Sequence, residues 1–412
     1  MDIKNIIGAD VRNKRILFRP DINSPIDGNG KIVNENRLNA VAPTLKYMVE
    51  NGAMVAIIAH QGDTLDYQNL ISMEEHASIL TRLIGHKVEY IDDVCGDYAI
   101  DKIKNLKSGE SILLGNLRYL TEEVSTFEKD VKLSVDDMKK TYLVRRLAPL
   151  FDLYVNEAFS AAHRNAPSMV AFQNILPSYA GPLFFKEFEA LSRVMRSATR
   201  PVTFVLGGAK ISDAFGMMGK VLKDKIADYI LVAGVTGQIM TLAEGKKIGK
   251  KYENWLDSKD LLVFVDQAKE LLNSYRNNFV LPVDLAYESD GKRKEISVEE
   301  LPQEEMFTDI GHDTVDIFNK IIMSSGTIFV NGPAGVYESE LSSYGTKEIW
   351  NAIANSSGYS LIGGGDTVTA ATKFVDLSKF SYICTAGGAM VRFLSGKRLP
   401  LIEAMLSGKS TN

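Results

Sequence analysis

The run IIAHQGDTLD (57–66) places His60 and Asp63 directly after an apolar stretch that reads as a buried strand. In open α/β sheets this is the edge where ligands bind, so the pair is a candidate for catalysis, for metal binding, or for a polar turn. Other expected strand ends are just as distinctive. In the first half they carry Arg19, Asp21, Asn23, Asn116, Arg118, Asn156 and His163-Arg164, the side chains of a pocket for a small anion. In the second half they carry glycines: Gly207-Gly208, Gly234, Gly332, Gly335, Gly363 to Gly365, and Gly387-Gly388. Backbone N–H groups in such turns, and the helix N-termini that follow, can hold a polyphosphate. A cationic pocket in one half and a glycine cradle in the other suit transfer of a phosphoryl group between a nucleotide and a small acid.

Each local signal also has a plainer reading. GGGDTVTAATKF (363–374) follows a strand and opens a helix; Asp366 is placed to hold Mg²⁺ while Thr367 caps the helix. The same residues would serve equally as a glycine-rich turn with Asp366 or Thr367 as N-cap. In LGGAKISD (206–213) Lys210 either neutralises a transferring phosphoryl group or is a solvated first-turn lysine. The histidines His60, His76, His86, His163 and His312 show no H-x-H or H-E-x-x-H pairing, which argues against a protein-held transition metal. The tail LSGKSTN resembles the end of a P-loop, but the position five before Gly408 is Glu403 and no strand precedes it.

These residues need a scaffold that lines up strand ends. Short apolar runs such as RILFRPDI (15–22), MVAIIAH (54–60), SILLGNLR (111–118), VTFVLGG (202–208), LLVFV (261–265), NFVLPVD (278–284), TIFVNGPAG (327–335) and YSLIGGGD (359–366) read as strands. Between them lie segments such as ENRLNAVAPTLKYMVENG (35–52) with apolar residues at helical spacing and an Asn-Gly stop. The alternation predicts an α/β protein with two doubly wound, Rossmann-like parallel-sheet domains joined by a hinge helix. A length of 412 residues agrees with more than one domain. The boundaries are expected at 1–180, a connecting amphipathic helix at 181–200, 201–390, and a C-terminal segment, 391–412, packing back on the first domain. Hydrophobic residues make up 45% and charged residues 24%, as in soluble globular chains, and the net charge of −5 gives no reason to expect nucleic acid or a membrane as partner. Arginines nevertheless crowd the first half; only Arg276, Arg293, Arg392 and Arg398 follow Arg200. The distant pair Cys95 and Cys384 forms no disulfide framework, and the start MDIKNIIGADVRNKR has no signal-peptide core. A reducing cytoplasm is the expected location.

Taken in order, the segments RILFRPDINSPI, NRLNAVAPTLKYMVENGA, NLRY, YVNEAFSAAHRNAPS, LGGAKISD, LPVDLA, NGPAGVYE, GGGDT and FLSGKRLPLIEAM resemble the phosphoglycerate kinase family, with wording closest to its archaeal branch. The resemblance covers nearly the whole chain. It implies reversible transfer of the acyl phosphate of 1,3-bisphosphoglycerate to MgADP, giving 3-phosphoglycerate and MgATP. It implies that the first domain binds the acid: Asp21 and Asn23 at its carboxylate and hydroxyl, His60, Arg118 and Arg164 at its distal phosphate, and Arg37 at the transferring group. The second domain would bind ADP or ATP through Gly208, Lys210, Asn331, Glu338 and the turn Gly364, Gly365, Asp366, Thr367, with Glu338 on the ribose and Asp366 on Mg²⁺. The resemblance also leads us to expect a monomer whose domains close on a hinge to exclude water.

The chain departs from the family pattern at Ala214, where most members carry a second lysine, at Glu157 for an aspartate, and at Ala386 for a glycine. The largest departure is Asp63, where the family supplies an arginine to the substrate phosphate. An anion at that point should repel a phosphate in a partly desolvated cleft. It raises the alternative of a related kinase for a different small carboxylic acid, against which Arg118 and Arg164 stand; a non-catalytic nucleotide- or metabolite-binding homologue is a separate alternative, against which Lys210, Glu338 and Asp366 stand. The substitution Asp63→Arg is expected to lower the apparent KM for 3-phosphoglycerate; an unchanged or raised KM would mean that the side chain at 63 does not face the phosphate.

Overall fold

The apolar runs become strands whose neighbours pair in parallel, and the amphipathic stretches between them become the covering helices. The computed structural model describes residues 3–62 and 71–408, so Asp63 lies outside the described residues. The chain falls into two units, Met1–Phe188 with Arg398–Asn412, and Glu189–Lys397.

In the first unit, β1 (Arg15–Arg19), β2 (Met54–Ile57), β3 (Val88–Ile91), β4 (Ser111–Leu114), β5 (Leu153–Asn156) and β6 (Ser178–Ala180) form one sheet in the order β3-β4-β2-β1-β5-β6. All of its pairings are parallel, so every carboxyl end lies at one edge. The chain runs outward from β1 first to β2 and later to β5, which makes the end of β1 the switch point where a ligand crevice opens. Register sets Arg19 against Asn156 there. Helix Asn36–Glu50 buries Leu38, Val41, Leu45, Met48 and Val49, a stripe at three- and four-residue spacing that packs with Phe18, Val55 and Ile57. Burying each such side chain stabilises the fold by about 1.5–3 kcal/mol. Helix Pro400–Ser407 belongs to this unit and rests on helix Pro167–Val170, with the Leu401 N–H donating to the Ala162 carbonyl at 3.2 Å.

The second unit has a six-stranded sheet of β7 (Val202–Leu206), β8 (Tyr229–Val232), β9 (Phe279–Val280), β13 (Thr327–Asn331), β14 (Tyr359–Gly363) and β15 (Tyr382–Cys384), in the order β15-β14-β13-β7-β8-β9. It is also parallel throughout, and its core gathers Ile328, Val330, Phe318, Trp350 and Ile353. Two features differ from the sequence reading. Leu261–Val263 is a turn that leads into helix Phe264–Tyr275. The run continues as Leu261, Val265, Ala268, Leu272, so the apolar period is helical once the window is widened. The other is a small antiparallel sheet of β10 (Asp284–Ser289), β11 (Lys292–Ser297) and β12 (Phe307–Ile310). Its hairpin turns on Asp290 and Gly291, with φ of 54° and 70°, the backbone that Asp-Gly pairs favour.

Glu157 sits just past β5, almost wholly buried. Its Oε1 accepts from Thr44 Oγ1 at 2.7 Å and from the Leu183 N–H at 2.9 Å, in the first turn of helix Pro182–Arg196. Its Oε2 has no partner among the described residues. Burial pushes the carboxyl up to about 7, against the pull of those two bonds. An acid whose folded pKa lies above its ordinary 4.5 makes the fold retain a proton. Its contribution is therefore largest below pH 4.5 and is lost as pH rises towards 7. Relative to the wild type, Glu157→Gln is expected to gain about 1–3 kcal/mol on going from pH ~5 to pH ~8, read from urea midpoints. A difference that does not vary with pH would show that Glu157 is not the proton-binding group.

Candidate active site

In the first unit, the residues after β1 and β2 are stitched together before any ligand is considered. Gln61 Oε1 accepts from the Ser24 N–H at 2.8 Å and from His76 Nε2 at 2.9 Å, while its Nε2 donates to the Ser24 carbonyl at 2.8 Å. His76 is fully buried, and burial lowers its pKa to about 4, so it donates to Gln61 as a neutral ring. Asn116, also fully buried, ties the loop after β4 to the loop after β2: Oδ1 accepts from the Gln61 and Arg118 N–H groups at 3.2 and 3.0 Å, and Nδ2 donates to the Gln61 carbonyl at 3.0 Å. These bonds satisfy backbone groups that the ends of the strands leave open.

On that frame the charged residues converge. Arg19 is only 3% exposed; its Nη2 lies 2.9 Å from His60 Nδ1 and its Nε donates to Ser168 Oγ at 3.4 Å. An arginine can only donate, so His60 Nδ1 accepts and the ring carries its proton on Nε2. Burial first, then the Arg19 charge, holds His60 well below its ordinary pKa, which keeps it neutral. Asp21 bonds Arg37 Nη1 at 2.6 Å and the Ser160 hydroxyl. Burial opposes its ionisation, but Arg37, the Ser160 hydroxyl and Arg19 together hold its carboxyl below the usual range. Asn23 Oδ1 accepts from the Gly62 N–H at 3.0 Å. A cavity of about 340 Å³ opens beside Asn23, Arg37, Gln61 and Gly62. Arg118 Nη1 donates to the Glu123 carbonyl at 2.7 Å, and Arg164 Nε to Glu128 Oε2 at 2.7 Å. Arg118 and Arg164 both act electrostatically on His60, so they belong to the same cluster.

In the second unit the backbone itself makes the site. Gly207 donates its N–H to the Asn331 carbonyl at 2.9 Å, and Gly208 to the Pro333 carbonyl at 2.7 Å. A β-carbon on Gly207 would fall 2.2 Å from the Pro333 carbonyl oxygen, so the ends of β7 and β13 approach too closely for any side chain. Helix Gly365–Phe374 begins after Gly364, whose φ of 100° suits glycine, and no side chain caps it. Thr367 does not cap the helix: its Oγ1 accepts from the Gly332 N–H at 2.8 Å, because the neighbouring loop supplies a closer donor. Asn331 Nδ2 donates to the Gly363 carbonyl at 2.8 Å. Lys210 Nζ lies 3.1 Å from Asp366 Oδ2, with both side chains mostly exposed. Gly208, Lys210, Asn331, Gly364, Gly365, Asp366 and Thr367 all line one polar cavity of about 120 Å³, together with Asp213. A second cavity of about 240 Å³, lined by Val235, Tyr252, Phe307, Val336 and Glu338, shares Gly208, Pro333 and Asp366 with it. An apolar slot that runs into a glycine cradle with one lysine suits a base followed by phosphates.

The sequence-predicted residues therefore form two groups, one at each sheet edge, with only Asp63 outside the described residues. Gln61, Ser160, Ser168, Glu123 and Glu128 were missed. A Glu-Glu pair four residues past Asn-Leu-Arg offers no chemical signal until folding brings it beneath the arginines.

Two open parallel sheets whose carboxyl edges carry these sites define a two-domain α/β phosphotransferase scaffold. The phosphoglycerate kinase family model matches residues 5–397. Phosphoglycerate kinases of Pyrococcus furiosus and Methanothermus fervidus are 39% and 38% identical to this chain over 397 residues, covering 95% and 96% of it and 95% of each relative. The crystal structure of the Pyrococcus horikoshii enzyme matches with a TM-score of 0.83 at 38% identity, covering 98% of both chains. The structure of phosphoglycerate kinase from Coxiella burnetii matches at 0.84 and 30% identity, covering 98% of this chain and 99% of the other. The chain belongs to the phosphoglycerate kinase family.

Glu128 holds Arg164 and also accepts from the Asn165 N–H at 2.7 Å, a donor pair that an incoming oxyanion would use. Glu128→Gln is expected to tighten binding of inorganic phosphate roughly two- to tenfold by calorimetry. Unchanged affinity would show that Glu128 does not compete for that site.

Proposed function

We infer that this chain catalyses the phosphoglycerate kinase reaction, reversible transfer of the acyl phosphate of 1,3-bisphosphoglycerate to MgADP, giving 3-phosphoglycerate and MgATP. The observation that carries this reading is that one chain of the family bears both a cluster of buried arginines beside His60 and a glycine-lined polar cavity. Asp21 and Asn23 would orient the carboxylate and hydroxyl of the glycerate. His60, with its proton on Nε2, would donate to the distal phosphate beside Arg118 and Arg164. Arg37, half exposed and paired with Asp21, would turn to the transferring group. Asn331 and Glu338 would lie along the nucleotide, Glu338 at the ribose. Lys210 and the N–H groups of Gly364 to Thr367 would meet its phosphates.

A charge-dispersed transition state asks for positioning and positive electrostatics rather than a nucleophile on the protein. The Lys210–Asp366 pair is exposed enough to contribute little to stability, so both groups are free to change partners. The residues fit a magnesium ion that arrives with the nucleotide. Asp366, with Asp213 on the same cavity, offers the one or two carboxylates such an ion takes, and among the described residues no group of three or more His, Cys, Asp or Glu forms a protein-held site. Asp366 would hold the ion, which supplies charge neutralisation at the phosphate oxygens. Acid and nucleotide would be held by different units, so transfer requires bending, which we assign to helix Pro182–Arg196, where the chain passes from one unit to the other. Both residue sets come from one chain, which supports action as a monomer. No helix among the described residues is long and apolar enough to cross a membrane, in keeping with a cytoplasmic enzyme.

The test is turnover of 3-phosphoglycerate with MgATP, followed by coupled NADH oxidation; nucleotide binding without turnover would overturn the reading. Within that assay Lys210→Ala is expected to lower kcat by on the order of 10²-fold or more, with the melting temperature unchanged because the side chain is 70% exposed. A kcat within a fewfold of wild type would remove Lys210 from the phosphoryl site.

A further inference from the structure

Glu123 lies in the short turn Thr121–Glu123 after β4 and is only 4% exposed. Its Oε1 accepts from the Ser168 N–H at 2.7 Å and its Oε2 from the Ser168 hydroxyl at 2.6 Å. The same hydroxyl accepts from Arg19 Nε. The main-chain carbonyl of Glu123 accepts from Arg118 Nη1 at 2.7 Å and, more loosely, from Arg164 Nη2 at 3.5 Å. One residue thus reaches three of the four arginines of the cationic cluster, two directly and one through a serine. Its neighbour Glu122, by contrast, accepts from the Leu143 N–H at 3.1 Å and anchors the loop.

We propose that Glu123 is the positioning residue of the acid site: its carboxylate pins the turn to Ser168, so that its carbonyl fixes Arg118 and Arg164 while Ser168 fixes Arg19. A guanidinium is a planar fork of five donors. Holding one or two of them fixes the plane of the group and removes side-chain freedom that substrate binding would otherwise have to suppress. A buried carboxylate is tolerated only where it is well paired, and here the Ser168 bonds and the Arg19 and Arg164 charges offset only part of the burial, which holds the carboxyl above its ordinary range. Glu128 is different in kind. It lies at the more open side of Arg164, with its side chain 19% exposed, and competes with an anion, whereas Glu123 supports the site from within.

The proposal rests on the assignment of this cluster to 3-phosphoglycerate. The experiment measures KM for 3-phosphoglycerate and for MgATP in Glu123→Ala, Glu123→Asp, Ser168→Ala and the Glu123→Ala/Ser168→Ala double variant, with Arg118→Ala as reference. Misplacement of a positioning group costs up to about a hundredfold in favourable cases. We therefore expect Glu123→Ala to raise KM for 3-phosphoglycerate by about tenfold or more, Glu123→Asp to restore part of it, and KM for MgATP to stay within about twofold. Glu123→Ala and Ser168→Ala should be non-additive, since they break one chain of contacts. If Glu123→Ala does not fold, Ser168→Ala alone decides, through the same contrast between the two KM values. The proposal is overturned if KM for the acid is unchanged, if both KM values move together, or if the two substitutions simply add. A silent Arg118→Ala would instead overturn the assignment of the cluster to the acid.

Discussion

A parallel sheet ends all its strands in the same direction, and at that common edge the ladder of hydrogen bonds runs out. The open backbone groups there must find partners or be left unsatisfied in the interior. The two units answer this in different ways. In the first, side-chain amides do it: Asn116 and Gln61 bond several loop N–H and carbonyl groups between them. In the second, backbone meets backbone, with Gly207 and Gly208 donating to Asn331 and Pro333. The chemistry follows from the choice. Side-chain staples leave room for long arginines to enter the edge, whereas backbone staples leave a surface of N–H groups with no side chains in the way.

The cationic edge is more balanced than its composition implies. Arg37 is paired with Asp21, Arg164 with Glu128, and the Glu123 carboxylate lies within reach of the Arg19 and Arg164 charges. Isolated buried arginines would be costly, and these carboxylates offset their charges. The charges at this edge are therefore largely matched within the protein itself.

Much of this was legible before folding. Residues with a distinctive side chain just past a strand, such as Asp21, His60, Lys210 and Asp366, announce themselves because strand and turn are both visible in the local pattern, whereas Arg37 opens a helix and was named only through the family resemblance. The Asp290-Gly291 hairpin was equally visible but was passed over in a chain dominated by parallel crossovers. The apolar run at 261–265 was misread because five residues cannot distinguish a strand from the start of a helix. Thr367 was assigned to the helix it belongs to, yet its hydroxyl serves Gly332 on another loop. Glu123 shows the limit most clearly. Its role depends on Ser168 and on arginines from three separate strand ends, and that relation exists only in three dimensions.

The helix Pro400–Ser407 lies against helix Pro167–Val170, and its Leu401 N–H bonds Ala162, two residues before Arg164. The segment that begins at Arg398 thus belongs to the first unit, although the whole of Glu189–Lys397 intervenes in the chain. A chain emerging from the ribosome can form the first sheet early, but the flank beside Arg164 stays bare until the second unit has been made. That flank of the first sheet is then among the last parts of the molecule to be covered. A chain cut short after the second unit would carry the whole glycine-lined edge and an uncovered wall beside Arg164.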